Sequence, residues 1–454
     1  MSDKNRLGTE DVKKLLFSLA IPAIIGQLVS LLYNMVDRMY IGHIKGIGGE
    51  ALTGVGVTAP LLIIISAFSV LIGIGGAPRA SIKMGEKDYE GAEKIMGNCF
   101  VSLIGISIVL TILFLLFNEK LLIWFGASEK TLPYALEYIE IYTLGTIFVQ
   151  LAVGMNPFIS SQGFAKISMI TVSIGAIINI VLDPIFIYGF KMNVKGAALA
   201  TIISQAVSAI WVIRFLRGDK TILKLKKKNF KIDMNIMKPV LLLGLSPFVM
   251  QITESFIIIA FNSSLQKYGG DVAVGAMTIL SAAMQFTFLP LSGLTQGAQP
   301  IISYNYGAKN KDRMRDTFKY LIISTASYSV LFWLLMMIMP QFFSKLFTNN
   351  KAIIDMATSG LRIYMGGVFA MGVQIACQQT FIAMGNARTS LFLALLRKVF
   401  LLIPLILILP KFLSNKVFAV FLAEPISDII AATVTGILFY RDFSSTLRSM
   451  PDSF

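Results

Sequence analysis

A chain of 454 residues that is 55% hydrophobic, with a mean hydropathy of +0.73 and only 14% charged residues, is not a soluble globular protein, which carries about a quarter charged residues. The net charge of +15 would fit nucleic acid, but the basic residues cluster in short segments between apolar runs. That is the pattern of a polytopic membrane protein, and no nucleic-acid partner is expected.

Two cysteines, Cys99 and Cys377, lie in apolar runs and give neither a disulfide framework nor metal-ligand spacing. The single histidine, His43, leaves no basis for histidine catalysis or a multi-histidine metal site. The first apolar run, from about Leu15, is too long for a signal-peptide core and has no small-residue cleavage site, so it reads as a retained span. The hydropathy predicts twelve spans at roughly 15–43, 51–80, 93–117, 132–160, 167–190, 194–216, 236–265, 271–302, 315–339, 353–383, 389–410 and 416–440.

Span one contains Pro22, which frees a backbone carbonyl and is expected to bend the helix; Pro247 has the same role in span seven. Near the outer end of span one lies Asp37, and in span five lie Asn179 and Asp183, four apart and on one helical face. Thr201 follows in span six. At about 1.5 Å per residue, Asp37, Asp183 and Thr201 all sit roughly 10 Å below the outer surface, with Asn179 one turn deeper. Carboxylates at such depth are costly and need compensation. Two carboxylates, an amide oxygen and a hydroxyl suit a hard monovalent cation, and two nearby acids can also exchange a proton. A static hydrogen-bond network is the alternative.

Glu254 in span seven has no basic residue nearby in its own span. It is either a substrate or ion carboxylate or the partner of a base on another helix. In spans eleven and twelve, Arg397 and Asp428 lie at matching depths, with Glu424 beside Asp428, and a structural Arg397–Asp428 ion pair is expected. The 22 methionines and 33 phenylalanines suit an adaptable apolar cavity, though most serve the core or the lipid face.

Basic residues fix the orientation. Lys4, Arg6, Lys13 and Lys14 precede span one, nine more run from Arg214 to Lys238, and the inner segments together carry more than twice as many as the outer ones. Both termini are therefore expected in the cytoplasm. The run Lys224-Leu-Lys-Lys-Lys228 reads either as a contact with anionic headgroups or as a solvated linker. It falls at the midpoint of a repeat. Gly85-Glu-Lys-Asp88 and Gly307-Ala-Lys-Asn310 are displaced by 222 residues, as are Gly163-Phe-Ala-Lys-Ile-Ser168 and Gly385-Asn-Ala-Arg-Thr-Ser390. The expected fold is an all-α integral membrane protein whose twelve transmembrane helices form two pseudo-symmetric six-helix bundles. Its parts are an N-terminal lobe at 1–220, a basic cytoplasmic linker at 221–235 and a C-terminal lobe at 236–454. Parallel repeats of this kind are a plan of secondary transporters.

Over essentially its full length the chain resembles the MATE (multidrug and toxin extrusion) family of prokaryotic type. The resemblance rests on Pro22…Gln27…Asp37, Gly85, Asn179…Asp183-Pro184, Gly196-Ala-Ala-Leu-Ala-Thr201 and Tyr306-Gly307-Ala308. It implies that Asp37, Asn179, Asp183 and Thr201 form an N-lobe cation site, for Na⁺ or H⁺, and that Glu254 is the seventh-helix acid of many members. Span ten has only Asp355 at its edge, with Gln374 and Gln378 inside, so a C-lobe cation site is disfavoured.

The implied function is a cation-coupled antiporter that exports amphipathic, often cationic organic compounds across the cell membrane. It would not be an enzyme, would need no cofactor beyond the coupling ion, and would work as a monomer with small-molecule substrates and membrane lipids as partners. The alternative is a lipid-linked precursor flippase, which would need a cavity rich in basic side chains. A membrane acyltransferase is disfavoured because no histidine lies deep in a span.

Overall fold

The computed structural model describes residues 6–451; Lys4, counted on the inner side above, lies outside them. The described residues form helices and contain no strand. By length and composition, ten helices can cross a membrane, and the pair Leu132–Leu144 and Thr146–Ser160, bent by 60°, makes an eleventh span. One of the ten, Met234–Gly307, is 74 residues long. That is more than twice what a ~30 Å hydrocarbon core requires at ~1.5 Å per residue. It turns at Gly270, whose φ of 63° and ψ of −161° are not helical, so it provides two spans and the described residues hold twelve.

The spans are α1 Val12–Gly42, α2 Ala59–Gly85, α3 Tyr89–Trp124, α4 (the bent pair), α5 Ala165–Gly189 and α6 Asn193–Arg217. Then come α7 at 234–269 and α8 at 271–307, followed by α9 Lys311–Ile338, α10 Lys351–Ala383, α11 Ala387–Phe412 and α12 Lys416–Ser449. Several expected boundaries move: span three runs on to Trp124 and span twelve to Ser449. The run read as span two from residue 51 is broken, and a separate short helix, Gly48–Val57, precedes α2. Pro60 at the start of α2 cannot donate to the preceding turn, and the Thr58 hydroxyl instead bonds the Val55 carbonyl at 2.7 Å.

The chain forms two compact units, Met1–Thr9 with Ile21–Phe248, and Glu10–Ala20 with Val249–Phe454. It passes from one to the other in mid-helix after Ala20 and after Phe248, next to Pro22 and Pro247. Both helices continue through these prolines. The first unit is built on a buried cluster that includes Ile41, Leu61, Ile65, Leu122, Ile139 and Ala197. The second is built on one that includes Phe261, Leu265, Leu361, Leu402 and Phe421.

Residues 221–235 are fastened to the first unit. The Gln162 side-chain oxygen accepts from the Thr221 hydroxyl at 2.9 Å and from the backbone N–H groups of Ile222 and Leu223, both at 2.8 Å. Glu93 accepts from the Lys224 N–H at 3.0 Å and pairs with the Lys226 ammonium at 2.6 Å. The Asn98 oxygen takes the Asp233 N–H at 2.6 Å.

The repeat recurs in turn geometry. Lys87 and Lys309, 222 apart, both have positive φ, 64° and 55°. Each is followed by a helix cap: Asp88 accepts from Gly91 N–H at 2.8 Å, and Asn310 accepts from Arg313 N–H at 3.2 Å. Gly163 and Gly385 make the second pair, with φ of 91° and 75°, where glycine avoids the strain a side chain would bring. The Gly91 N–H, helped by the Lys83 ammonium, holds the Asp88 carboxyl below its ordinary titration range.

Candidate functional site

In the first unit, α5 ends in an unusual way. Pro184 lacks an N–H, and residues Ile185–Gly189 continue as a wider π turn. Such turns are rare and concentrate at functional sites. Two contacts lock the turn in place. The Tyr188 hydroxyl donates to the Tyr40 carbonyl at 2.6 Å, tying α5 to α1 within a turn of Asp37. On the other side Gly196 lies so close that a Cβ there would stand 2.8 Å from the Phe186 carbonyl carbon. Only glycine lets the start of α6 come this near, and Thr201 is thereby set against Asn179.

The result is one buried polar cluster. Asp183 is fully buried, Asn179 is 1% exposed and Thr201 is 8% exposed. The Asn179 amide donates to Asp183 at 3.3 Å and to the Thr201 hydroxyl at 3.3 Å. Thr201 in turn donates to the Ala197 carbonyl at 3.0 Å. Asp37 faces this group from α1, its carboxyl within hydrogen-bonding reach of that of Asp183. Two carboxyls at that range require a proton or a cation between them. Three buried oxygens, Asp37 Oδ1, Asn179 Oδ1 and Asp183 Oδ2, have no donor. Buried unsatisfied oxygens are costly, and these three, from two helices, are candidate ligands for a cation.

Sequence reasoning missed Tyr138. It is 4% exposed on α4, its hydroxyl reaches Thr201, and it senses the charge of Asp37. Tyr33 on α1 is also close enough to sense Asp37. A tyrosine in an apolar run has no marker that separates it from core tyrosines. The span that carries it is also bent by 60° at Gly145.

The second unit holds another charged cluster. Residues Leu396–Leu402 of α11 form a π turn, and Arg397 and Lys398 are both buried at adjacent positions, 9% and 8% exposed. The Arg397 guanidinium bonds Asp428 through Nε at 2.8 Å and through Nη2 at 2.6 Å, and Nη2 also reaches Glu424 at 3.1 Å. Its carbonyl accepts from the Ser427 hydroxyl at 2.9 Å. Lys398 pairs with Glu254 of α7 and donates to the Met250 carbonyl at 3.2 Å. Glu254 therefore has a base, on a helix distant in sequence, and Lys398 is the residue that inspection of span seven alone missed. Gln378 of α10 is beside it, donating to the Met250 sulfur at 3.4 Å. The structure thus gathers Asp37, Asn179, Asp183 and Thr201 in one unit, and Glu254, Arg397 and Asp428 in the other.

Known proteins share this plan. Multidrug export protein MepA of Staphylococcus aureus (strain N315) is 27% identical over 429 residues, 94% of either chain. The protein of the same name from Staphylococcus haemolyticus (strain JCSC1435) is 27% identical over 420 residues, 92% of either chain. Among solved structures, a MATE in the bent conformation aligns with a TM-score of 0.92 at 24% identity, over 99% of both chains. A MOP superfamily transporter from Pyrococcus furiosus, described as having a binding pocket of reverse polarity, aligns with a TM-score of 0.90 at 23% identity, over 98% of this chain and 99% of that one. These structural likenesses are of fold. The MatE family model matches twice, at residues 22–185 and 247–408, once in each half of the repeat. With most of its length covered by that model, the chain belongs to the MATE family of multi-pass membrane transporters.

Proposed function

We propose that this protein is a cation-coupled antiporter that exports amphipathic, often cationic organic compounds across the cytoplasmic membrane by alternating access, with both termini in the cytoplasm. The observation that carries the coupling is the buried cluster of Asp37, Asn179, Asp183 and Thr201, with three oxygens lacking donors and two acids face to face. A Na⁺ or H⁺ entering there satisfies those oxygens and favours one packing of α1, α5 and α6. Its release favours another, so an ion gradient biases the cycle.

One ion falling through ~100 mV supplies roughly 2.3 kcal/mol, and tenfold accumulation requires about 1.4 kcal/mol, so single-ion exchange suffices. No nucleotide or other cofactor enters this cycle. Glu254, the half-exposed acid of the second unit, is the group we assign to cationic substrate. The multidrug export names of the staphylococcal relatives support the substrate class. The flippase alternative is less well supported, because Arg397 and Lys398 are both neutralised by acids and are not free for a pyrophosphate.

The test is transport in proteoliposomes with the Na⁺ and pH gradients imposed separately. One of the two gradients should drive accumulation of an organic cation, and Asp37→Asn and Asp183→Asn should each abolish the gradient-driven part. Wild-type export by either variant would remove the site from the mechanism.

A further inference from the structure

The cluster in the second unit does not balance. Glu254, Glu424 and Asp428 are three acids, and Arg397 and Lys398 are two bases. Tyr364 also borders Glu424 and Glu254, and it is a neutral group. With two bases for three acids, one acid must carry a proton or lack a counter-charge. Arg397 is fixed, held to Asp428 through two nitrogens and by Ser427 at its carbonyl. Lys398 is held by one acid and one carbonyl at the end of a flexible four-carbon stem.

Access is unequal too. The Glu254 side chain is 54% exposed, whereas those of Glu424 and Asp428 are 6% and 0% exposed. An arriving cation can therefore reach only the acid that Lys398 already occupies. Glu424 is the acid with the weakest hold, a single 3.1 Å bond from a nitrogen that it shares with Asp428, and it lies within the field of Lys398.

We propose that Lys398 is a tethered counter-ion which a monovalent organic cation displaces from Glu254, and that Glu424 receives the displaced ammonium. This rests on the reading of Glu254 as the substrate carboxylate. With the cation bound, any proton that Glu424 held is released and three acids face three positive charges. A neutral compound gains nothing from displacing Lys398, and a dication leaves an excess positive charge beside the buried Arg397 and Lys398. The exchange thus selects for single positive charge, and Lys398 lowers the affinity for cations in return for that selectivity.

The test uses the purified full-length protein in detergent, with binding of ethidium, a monovalent cation, and of Nile red, an uncharged dye. Lys398→Met should tighten ethidium about tenfold, the scale on which close charge pairs compete, without a matching change for Nile red. Glu254→Gln in the same background should remove the gain. If Lys398→Met does not fold, Glu424→Gln alone decides, since it keeps the Lys398–Glu254 pair but removes the receiving acid. It should weaken ethidium about tenfold and leave Nile red in place.

Unchanged or weaker ethidium binding in Lys398→Met overturns the inference, as does an equal shift for both dyes or unaltered ethidium binding in Glu424→Gln. Export of ethidium by the wild type is measured alongside. Binding without gradient-driven export contradicts the antiporter reading alone. Export together with an unresponsive Lys398→Met contradicts this inference alone.

Discussion

Asp88 shows how much one side chain can fix. It follows a residue of positive φ, caps α3 through the Gly91 N–H, and titrates below the ordinary carboxyl range because that N–H and the Lys83 ammonium favour its charged form. Asp88→Ala should cost about 1 kcal/mol, as lost caps do. The sign of the pH effect follows from the lowered value. The contribution is full above the unfolded value of about 4, and it is lost as pH falls through the lower folded one. Asn310 makes the matching cap on α9 and does not titrate in this range. Thermal unfolding between neutral and acid pH should therefore show the Asp88→Ala deficit shrinking at low pH and the Asn310→Ala deficit staying constant. A pH-independent Asp88→Ala deficit would mean that the cap is not ionic. Asp88 and Asn310 were visible in the sequence as a repeated turn, but the caps they make were not, because capping depends on φ and ψ at the turn as well as on residue type.

At the scale of elements, the spans were legible because a bilayer demands long apolar helices, and Leu, Ile, Val and Phe report that directly. What was not legible is local. Thr58-Ala59-Pro60 breaks a continuous apolar run, and nothing in hydropathy marks a break that keeps both pieces apolar. The π turns at Ile185–Gly189 and Leu396–Leu402 also leave no periodic signal, since each widens a helix only locally. Yet they shape the two clusters. The first follows Asp183-Pro184 directly, and the second carries both Arg397 and Lys398 into the protein. Depth counting found the Arg397–Asp428 contact. It could not show that Glu424 shares the same guanidinium or that Lys398 reaches α7. Arg397→Ala should therefore cost about 3–5 kcal/mol, because it leaves two buried acids without their base. Arg397→Ala combined with Asp428→Asn should recover part of the folded yield, measured by size-exclusion after membrane extraction. Undiminished yield of the single variant would show that the acids do not need the guanidinium.

At the scale of the molecule, the repeat of 222 residues appears in sequence, in paired turns and caps, and in the two matches of the MatE model. The halves differ in their chemistry. The first unit brings together the buried Asp183, the partly buried Asp37 and no buried base, and on this account the two acids take up an external cation or proton. The second supplies two bases of its own for three acids. Ion coupling belongs to the first unit and substrate charge to the second on this account. The central claim is that Asp37 and Asp183 hold the coupling ion, and an ion bound only by the folded state must raise its stability, by about 2.7 kcal/mol at a hundred times its dissociation constant. The decisive measurement is the thermal midpoint of purified wild type, Asp37→Asn and Asp183→Asn in matched Na⁺ and K⁺ across a pH series. Wild type should be protected either by Na⁺ over K⁺, or by falling pH irrespective of Na⁺, and both variants should lose that protection while remaining folded. Protection that survives in both variants, or a wild type indifferent to Na⁺ and to pH alike, would contradict the account.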